Sequence, residues 1–118
     1  PLATKLPLPI VIGISGKESL TANNVAQVRT AWQRQPDRYE AIFDQIDRLA
    51  LAGVEALKAG DLAELGELMN LNHGLLNALQ MSTPELEEMI HVARRAGASG
   101  AKLTGGGGGG SMIALSPV

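Results

Sequence analysis

Six consecutive glycines are the residues best suited to ligand chemistry in this chain: Gly105, Gly106, Gly107, Gly108, Gly109 and Gly110. Glycine has no Cβ, so its backbone can approach a ligand closely and adopt conformations that other residues avoid. Successive backbone N–H groups in such a segment can turn inward and form a concave site for an anion. We call residues 105–110 the glycine loop and, together with the following Ser111, expect it to contact phosphate groups.

The same composition is also typical of a flexible linker. A linker normally joins two complete domains, whereas only residues 111–118 follow the loop, and they have the apolar pattern of a strand. Two known phosphate-binding motifs do not fit. The dinucleotide fingerprint requires a helix after its glycines, and a P-loop ending at Gly16 and Lys17 would need glycine in place of Val11 and a hydroxyl residue in place of Glu18.

A second group of polar residues lies on the third predicted helix. At helical spacing, Asn70, His73 and Asn77 share one face with Gly66, whereas Asn72 projects from the apolar stripe. A buried amide needs hydrogen-bond partners, so this strip is interpreted either as the border of a pocket or as an ordinary solvated helix face. The spacing leaves both interpretations open.

Lys102 is the cation closest to the glycine loop, and it is interpreted either as a ligand for an anion or as an edge-strand lysine that hinders aggregation. No Ser, His and Asp constellation is recognisable, the two histidines lack metal-ligand spacing, and the acidic residues have the positions of helix caps and surface groups. We therefore predict no catalytic residue and no metal ligand in this chain. Phosphoryl transfer depends mostly on positioning, so part of such a site can lack a catalytic base.

Composition narrows the function further. The 118 residues suit one domain, and the 45% hydrophobic content favours a folded core. A net charge of −2 with 3% aromatic residues argues against nucleic-acid binding. The absence of cysteine excludes disulfides and is compatible with a reducing cytoplasm, and no apolar run is long enough for a membrane span. We expect a cytoplasmic protein without membrane contact.

The elements that must position these residues follow from periodicity and capping. The pattern predicts an α+β fold with the order strand, four helices, two strands, in which the last two strands are antiparallel and flank the glycine loop. The first strand is expected to be buried, and Trp32 is expected in the core. Such a sheet has unpaired edges, which a further strand, a covering helix or a second copy in a homodimer would have to cover.

Residues 97–111 (GASGAKLTGGGGGGS) resemble the third, C-terminal motif of mevalonate kinases in the galactokinase, homoserine kinase, mevalonate kinase and phosphomevalonate kinase superfamily. Residues 69–73 (MNLNH) resemble the preceding helix, and Thr21 stands where this family often has threonine. The resemblance extends from about Pro9 to Leu115. Gly106 replaces a usual alanine and Ser111 a common cysteine, and neither change removes a backbone donor from the loop.

The resemblance implies a truncated, ferredoxin-like C-terminal kinase domain over residues 9–118, preceded by a linker over residues 1–8. The N-terminal domain of such kinases carries the catalytic residues and most of the ATP and Mg²⁺ contacts, so it is the expected partner and this chain alone should be inactive. The glycine loop would shape the site for ATP and mevalonate, whose C5 hydroxyl is phosphorylated in isoprenoid precursor synthesis. The candidate substrate-side residues are Thr21, Asn70, His73, Lys102 and Thr104.

Two other functions are compatible with the sequence. The chain could belong to another small-molecule kinase of the same superfamily, with a different acceptor alcohol. Alternatively, it could be a non-catalytic module for anion binding or oligomerisation, in which the glycine loop binds a small anion by itself.

Overall fold

A computed structural model of the chain describes residues 9–14, 21–104 and 110–116. The predicted α+β class and the predicted order of one strand, four helices and two strands are confirmed over these residues. None of the described helices combines the length and the apolar character needed to cross a lipid bilayer. The elements are β1 (Ile10–Ile14), α1 (Thr21–Arg34), α2 (Pro36–Ala59), α3 (Leu62–Ala78), α4 (Pro84–Arg95), β2 (Gly100–Leu103) and β3 (Ser111–Leu115).

The three strands form one antiparallel sheet in the order β1-β3-β2. β3 is central and pairs with both neighbours, so that Ile113 lies between Ile12 on β1 and Lys102 on β2. The antiparallel pairing predicted for the last two strands is therefore confirmed. It brings the two ends of the glycine loop together at one end of the sheet.

Local capping defines the helix boundaries. Pro36 stands in the first turn of α2, where a missing N–H removes no helical hydrogen bond, so the helix can begin at this proline. Gly60, at φ 72°, ends α2 in the left-handed conformation. The Asp61 side chain accepts a hydrogen bond from the N–H of Glu64 at 3.0 Å and so caps α3. Thr83 caps α4 in the same manner.

The hydrophobic core lies between α4 and one face of β2 and β3. Because strand side chains alternate between faces, Leu103 and its directly paired neighbour Met112 point to the same side, where they contact the cluster of Leu86 and Ile90 from α4. Burial of a large aliphatic side chain stabilises the fold by about 1.5–3 kcal/mol. This packing fixes α4 against the sheet.

Two predictions about burial are wrong. β1 was expected to be buried, yet Ile12 is 67% and Ile14 is 73% exposed. β1 is an edge strand, and α4 lies over β2 and β3 instead. Trp32 was expected in the core, but it is 37% exposed and its indole Nε1 donates to Glu40 Oε1 at 3.0 Å. α1 packs mainly on α2, which leaves this side chain at the margin of the helical layer.

α3 meets the start of β2 with the two backbones in direct contact. A Cβ atom added to Gly66 would overlap the carbonyl oxygen of Ser99, and one added to Gly100 would overlap the carbonyl oxygen of Gly66. Only glycine allows this approach, because no side chain separates the helix from the strand. The helix is thereby held close enough to β2 for its side chains to reach the strand backbone.

Two glycine-to-alanine substitutions in α3 should distinguish the effect of this backbone contact on stability from the effect of helix propensity. We expect Gly66→Ala to lower the free energy of unfolding by about 1–3 kcal/mol or more, since the backbones must move apart. Gly74→Ala is the matched control, because a Cβ there meets no atom within 4 Å. It should stabilise the helix by roughly 0.8–1 kcal/mol. Urea unfolding of both variants tests this, and equal shifts of the same sign would contradict the packing described.

Candidate functional site

The glycine loop leaves the sheet from a closed base. Thr104 donates its N–H to the carbonyl oxygen of Ser111 at 3.1 Å, and the hydroxyl oxygens of the two residues lie 2.7 Å apart. Gly110 is buried and has φ 64°, a conformation that side chains disfavour. Residues 105–109, on which most of the predicted phosphate contact falls, lie outside the described residues. The two ends of the loop are thus held together by both backbone and side-chain hydrogen bonds.

Asn70 of α3 binds the outer edge of β2. Its Oδ1 accepts from the backbone N–H of Ala101 at 3.0 Å and from Nε of Arg94 at 3.1 Å. Arg94 also donates through Nη2 to the carbonyl oxygen of Ala101 at 3.2 Å. These three hydrogen bonds join α3, α4 and β2 around a single strand residue.

His73 makes the equivalent contact one turn further along α3. The N–H of Leu103 donates to Nδ1 at 3.2 Å, so that nitrogen carries no proton and Nε2 carries one. Nε2 donates to Oε2 of Glu87 at 2.6 Å. His73 is only 3% exposed, and both of its ring nitrogens form hydrogen bonds. This geometry uses His73 to hold β2 and leaves no ring nitrogen for a substrate.

Glu87 of α4 completes this cluster. Its Oε2 also accepts from the Ser82 hydroxyl at 2.6 Å. Burial acts to raise the pKa of Glu87, but the hydrogen bonds from Ser82 and His73, together with the positive charge of Arg94, outweigh it and lower the pKa below 4.5. The serine bonds the carboxylate and the histidine contacts the backbone, so this group of Ser, Glu and His lacks the serine-to-histidine contact of a nucleophilic triad.

The polar strip predicted on α3 is therefore an attachment to the sheet. Asn70 and His73 are three residues apart on the helix. They accept hydrogen bonds from the backbone N–H groups of Ala101 and Leu103, which point away from β3. The solvated-face interpretation is wrong for His73, which is buried. α3 is the covering helix that the exposed sheet edge required. β1, at the other edge, keeps its four large apolar side chains exposed.

Lys102 lies between the two anchored residues of β2, with its side chain on the opposite face of the sheet. It lines a cleft of about 160 Å³ between α2 and α3, together with Asn72. Partial burial lowers the pKa of the Lys102 ammonium group. Asn72 was predicted to need partners, and its buried Oδ1 has none within the part of the chain that the structure describes.

Five of the predicted site residues thus gather along β2 and at the base of the loop: Asn70, His73, Lys102, Thr104 and Ser111. Thr21 opens α1, but its side chain lies outside what is described. Three further residues of the cluster, Ser82, Glu87 and Arg94, were not among the predicted site residues. Among residues 9–14, 21–104 and 110–116, no three His, Cys, Asp or Glu side chains form a group that could hold a metal ion.

Comparison with known proteins places this architecture among small-molecule kinases. Residues 54–117 match the sequence model of the family described as GHMP kinases C terminal. The mevalonate kinase of Pyrococcus horikoshii is 45% identical over 117 residues, which cover 95% of this chain and 35% of that protein. The chain therefore spans about a third of the length of the curated relatives that it matches.

Solved structures give the same result. The crystal structure of L. major mevalonate kinase in complex with R-mevalonate matches with a TM-score of 0.93 and 37% identity, over 100% of this chain and 36% of that one. Lactococcus lactis galactokinase, crystallised with galactose, matches with a TM-score of 0.69 and 26% identity, over 92% of this chain and 37% of that one. The resemblance to mevalonate kinases inferred from the sequence is confirmed.

The Glu87 carboxylate should make stability depend on pH. Because its pKa is lowered by folding, its contribution is fully present above the ordinary value of 4.5 and is lost as the pH falls through the folded pKa. Glu87→Gln should therefore be less stable than the parent at neutral pH and approach it in acid. Since the side chain is 41% exposed, solvent screening limits the difference to about 1 kcal/mol.

Urea unfolding between pH 3 and pH 7 measures this difference. Glu88→Gln is the matched control, since Glu88 is an exposed carboxylate on the same helix. Its effect should stay within about 0.5 kcal/mol at every pH. A Glu87→Gln difference that is independent of pH would contradict the charged hydrogen-bond cluster.

Proposed function

Since the chain belongs to the GHMP kinase C-terminal family, we propose that it is the C-terminal domain of an ATP-dependent mevalonate kinase. The proposed reaction transfers the γ-phosphoryl group of ATP to the C5 hydroxyl of mevalonate, giving 5-phosphomevalonate for isoprenoid precursor synthesis. The observation that carries the proposal is the closed base of the glycine loop between Thr104 and Ser111, anchored through β2 to α3. Similarity to mevalonate kinases over nearly the whole chain supports the choice of substrate.

In this proposal the glycine loop presents backbone N–H groups to the phosphates of ATP. Phosphoryl transfer needs little covalent chemistry from the protein and depends on positioning and on neutralisation of the phosphate charge. A separate N-terminal kinase domain, the partner of this chain, supplies the catalytic residues and most of the contacts to ATP and Mg²⁺. Residues 9–118 are proposed as the C-terminal domain and residues 1–8 as the linker that leads into it.

The proposed substrate-side residues fall into two groups. Thr21, Lys102 and Thr104 are proposed to border the site directly. Asn70 and His73 are proposed to act through β2, because their polar atoms are already engaged by Ala101 and Leu103. A change at either anchor should move the base of the loop and not remove a substrate contact.

The similarity to a galactokinase keeps the acceptor alcohol open to test. A chimera in which this chain replaces the matching third of the Pyrococcus horikoshii mevalonate kinase provides the assay. We expect ADP release that depends on mevalonate and is absent with galactose or homoserine, and no turnover by the 118-residue chain alone. A folded chimera that acts on galactose in preference to mevalonate would refute the proposed substrate. Turnover by the chain alone would refute the proposed division between two domains.

The loop itself is tested by Gly110→Val in the same chimera. A left-handed backbone at φ 64° costs a non-glycine residue about 1–2 kcal/mol, so the base of the loop must change conformation. We expect kcat/KM for ATP to fall by ~10-fold or more, since 1.4 kcal/mol corresponds to one factor of ten. Gly74→Ala, a glycine with open space around it, is the control and should leave kcat/KM unchanged.

The alternative of a non-catalytic anion-binding module makes a different prediction for the isolated chain. A self-sufficient sensor should bind ATP with Mg²⁺ in a saturable manner, whereas one part of a two-domain site should bind very weakly. Calorimetric titration of the 118-residue chain distinguishes the two functions.

A further inference from the structure

An apolar slot of about 280 Å³ lies between the second half of α1, the first half of α2 and the C-terminal end of α3. α1 packs mainly on α2 and makes little contact with α3, which leaves this space between the helices. One of its walls is Trp32, the single tryptophan of the chain, which is 37% exposed. Of the described residues proposed above to border the substrate, neither Lys102 nor Thr104 lines the slot.

The walls of the slot favour an aromatic ligand. Trp32 and Phe43 contribute two aromatic rings, and Met81 contributes a thioether, a group that makes favourable contacts with aromatic rings. The rest of the apolar wall is aliphatic and consists of Val28, Leu76 and Leu79. A ligand that removes this surface from water is bound by the hydrophobic effect.

Trp32 is held in place from outside the slot. Its Nε1, the only polar atom of the indole ring, donates to Oε1 of Glu40 at 3.0 Å, and Glu40 does not line the slot. The ring therefore needs no hydrogen bond from a ligand and offers it apolar contact. A wall that is fixed before binding reduces the conformational entropy that is lost when a ligand binds.

Arg29 is the one charged residue among the described walls of the slot. It precedes Trp32 by three residues on α1, a helix whose sequence contains no acidic residue. Its side chain is exposed and forms no ion pair with a described residue. A guanidinium group binds a planar carboxylate through two parallel N–H donors. A carboxylate on the ligand is therefore expected to lie beside Arg29, at the border of the slot with solvent.

The volume of the slot sets the size of the ligand. An engineered apolar cavity of about 150 Å³ binds benzene, so a slot of about 280 Å³ suits two fused rings. A single ring would leave part of the aliphatic wall in contact with water.

We propose that this slot is a binding site for planar, two-ring aromatic carboxylates, with the rings against Trp32, Phe43 and Met81 and the carboxylate on Arg29. The aromatic ligand differs in chemistry from the aliphatic substrate proposed above. The proposal rests on the walls of the slot and the unpaired arginine, and it does not depend on the kinase activity.

The test is a titration of the ¹⁵N-labelled chain, followed through the indole N–H signal of Trp32, which is unique because the chain has one tryptophan. The probes are 2-naphthoate, its neutral analogue 2-naphthamide, its saturated analogue decalin-2-carboxylate, the single-ring benzoate, and mevalonate. We expect a saturable shift with 2-naphthoate, whereas mevalonate should leave the signal unchanged.

The order of affinities tests each part of the proposed ligand. 2-Naphthamide should bind roughly 5–10-fold more weakly than 2-naphthoate, since it lacks the charge that strengthens a hydrogen bond to arginine. Decalin-2-carboxylate should bind ~3-fold more weakly or worse, because it loses the contacts between aromatic rings. Benzoate should bind ~10-fold more weakly, because it covers less apolar surface.

Two pairs of variants assign the binding to the slot. Arg29→Met should make 2-naphthoate and 2-naphthamide bind equally, whereas Arg34→Met, an exposed arginine of the same helix that does not line the slot, should preserve the difference. Val28→Phe places a ring in the slot and should weaken 2-naphthoate by at least ~10-fold. Val92→Phe, at a 47% exposed position on α4, should not change its affinity.

The proposal is overturned if 2-naphthoate gives no saturable shift of the Trp32 signal, or if decalin-2-carboxylate binds as tightly. It is also overturned if Val28→Phe binds 2-naphthoate as well as Val92→Phe does, or if Arg29→Met keeps the preference for the charged probe. Because Arg29 is exposed, its replacement tests the site without disturbing the core. Phosphorylation of mevalonate by the chimera would neither support nor contradict this site.

Discussion

The outer edge of β2 imposes the constraint on which the rest of this fold depends. Backbone N–H groups at a sheet edge must be paired or solvated, and those of Ala101 and Leu103 are covered by a helix. Asn70 and His73 supply acceptors from the same face of α3. The closest approach of this helix, at Gly66, is possible only because no side chain intervenes. The need to pair these two N–H groups therefore explains why a helix covers this edge, where α3 lies and why residue 66 is glycine.

The same hydrogen bonds connect the helical layer to the glycine loop. Ser82 and His73 both form hydrogen bonds with Glu87, and His73 also accepts one from the N–H of Leu103. The next residue, Thr104, forms the base of the loop by its hydrogen bond with Ser111. A segment made of glycine has little conformational preference of its own. The described residues at its two ends, Thr104 and Ser111, are fixed by buried polar contacts, which specify a geometry more closely than apolar packing alone.

Much of this architecture was predictable from sequence because its signals are local. The Asp61 and Thr83 caps, Gly60 and the strands on either side of the glycine loop are encoded within a few residues of where they act. The role of His73 was not predictable, since its partners Glu87 and Leu103 lie 14 and 30 residues away. Exposure of β1 and Trp32 was missed for a related reason, because periodicity does not reveal which helix covers which strand.

The hydrogen bond between His73 and the β2 backbone joins the helical layer to the base of the glycine loop, and it can be measured directly by NMR on the ¹⁵N-labelled chain. A scalar coupling across the hydrogen bond between the Leu103 amide nitrogen and Nδ1 of His73, with the ring proton on Nε2, is the result predicted by the structure. A ring that carries its proton on Nδ1, or a Leu103 amide that exchanges with solvent as fast as an unstructured one, would contradict it.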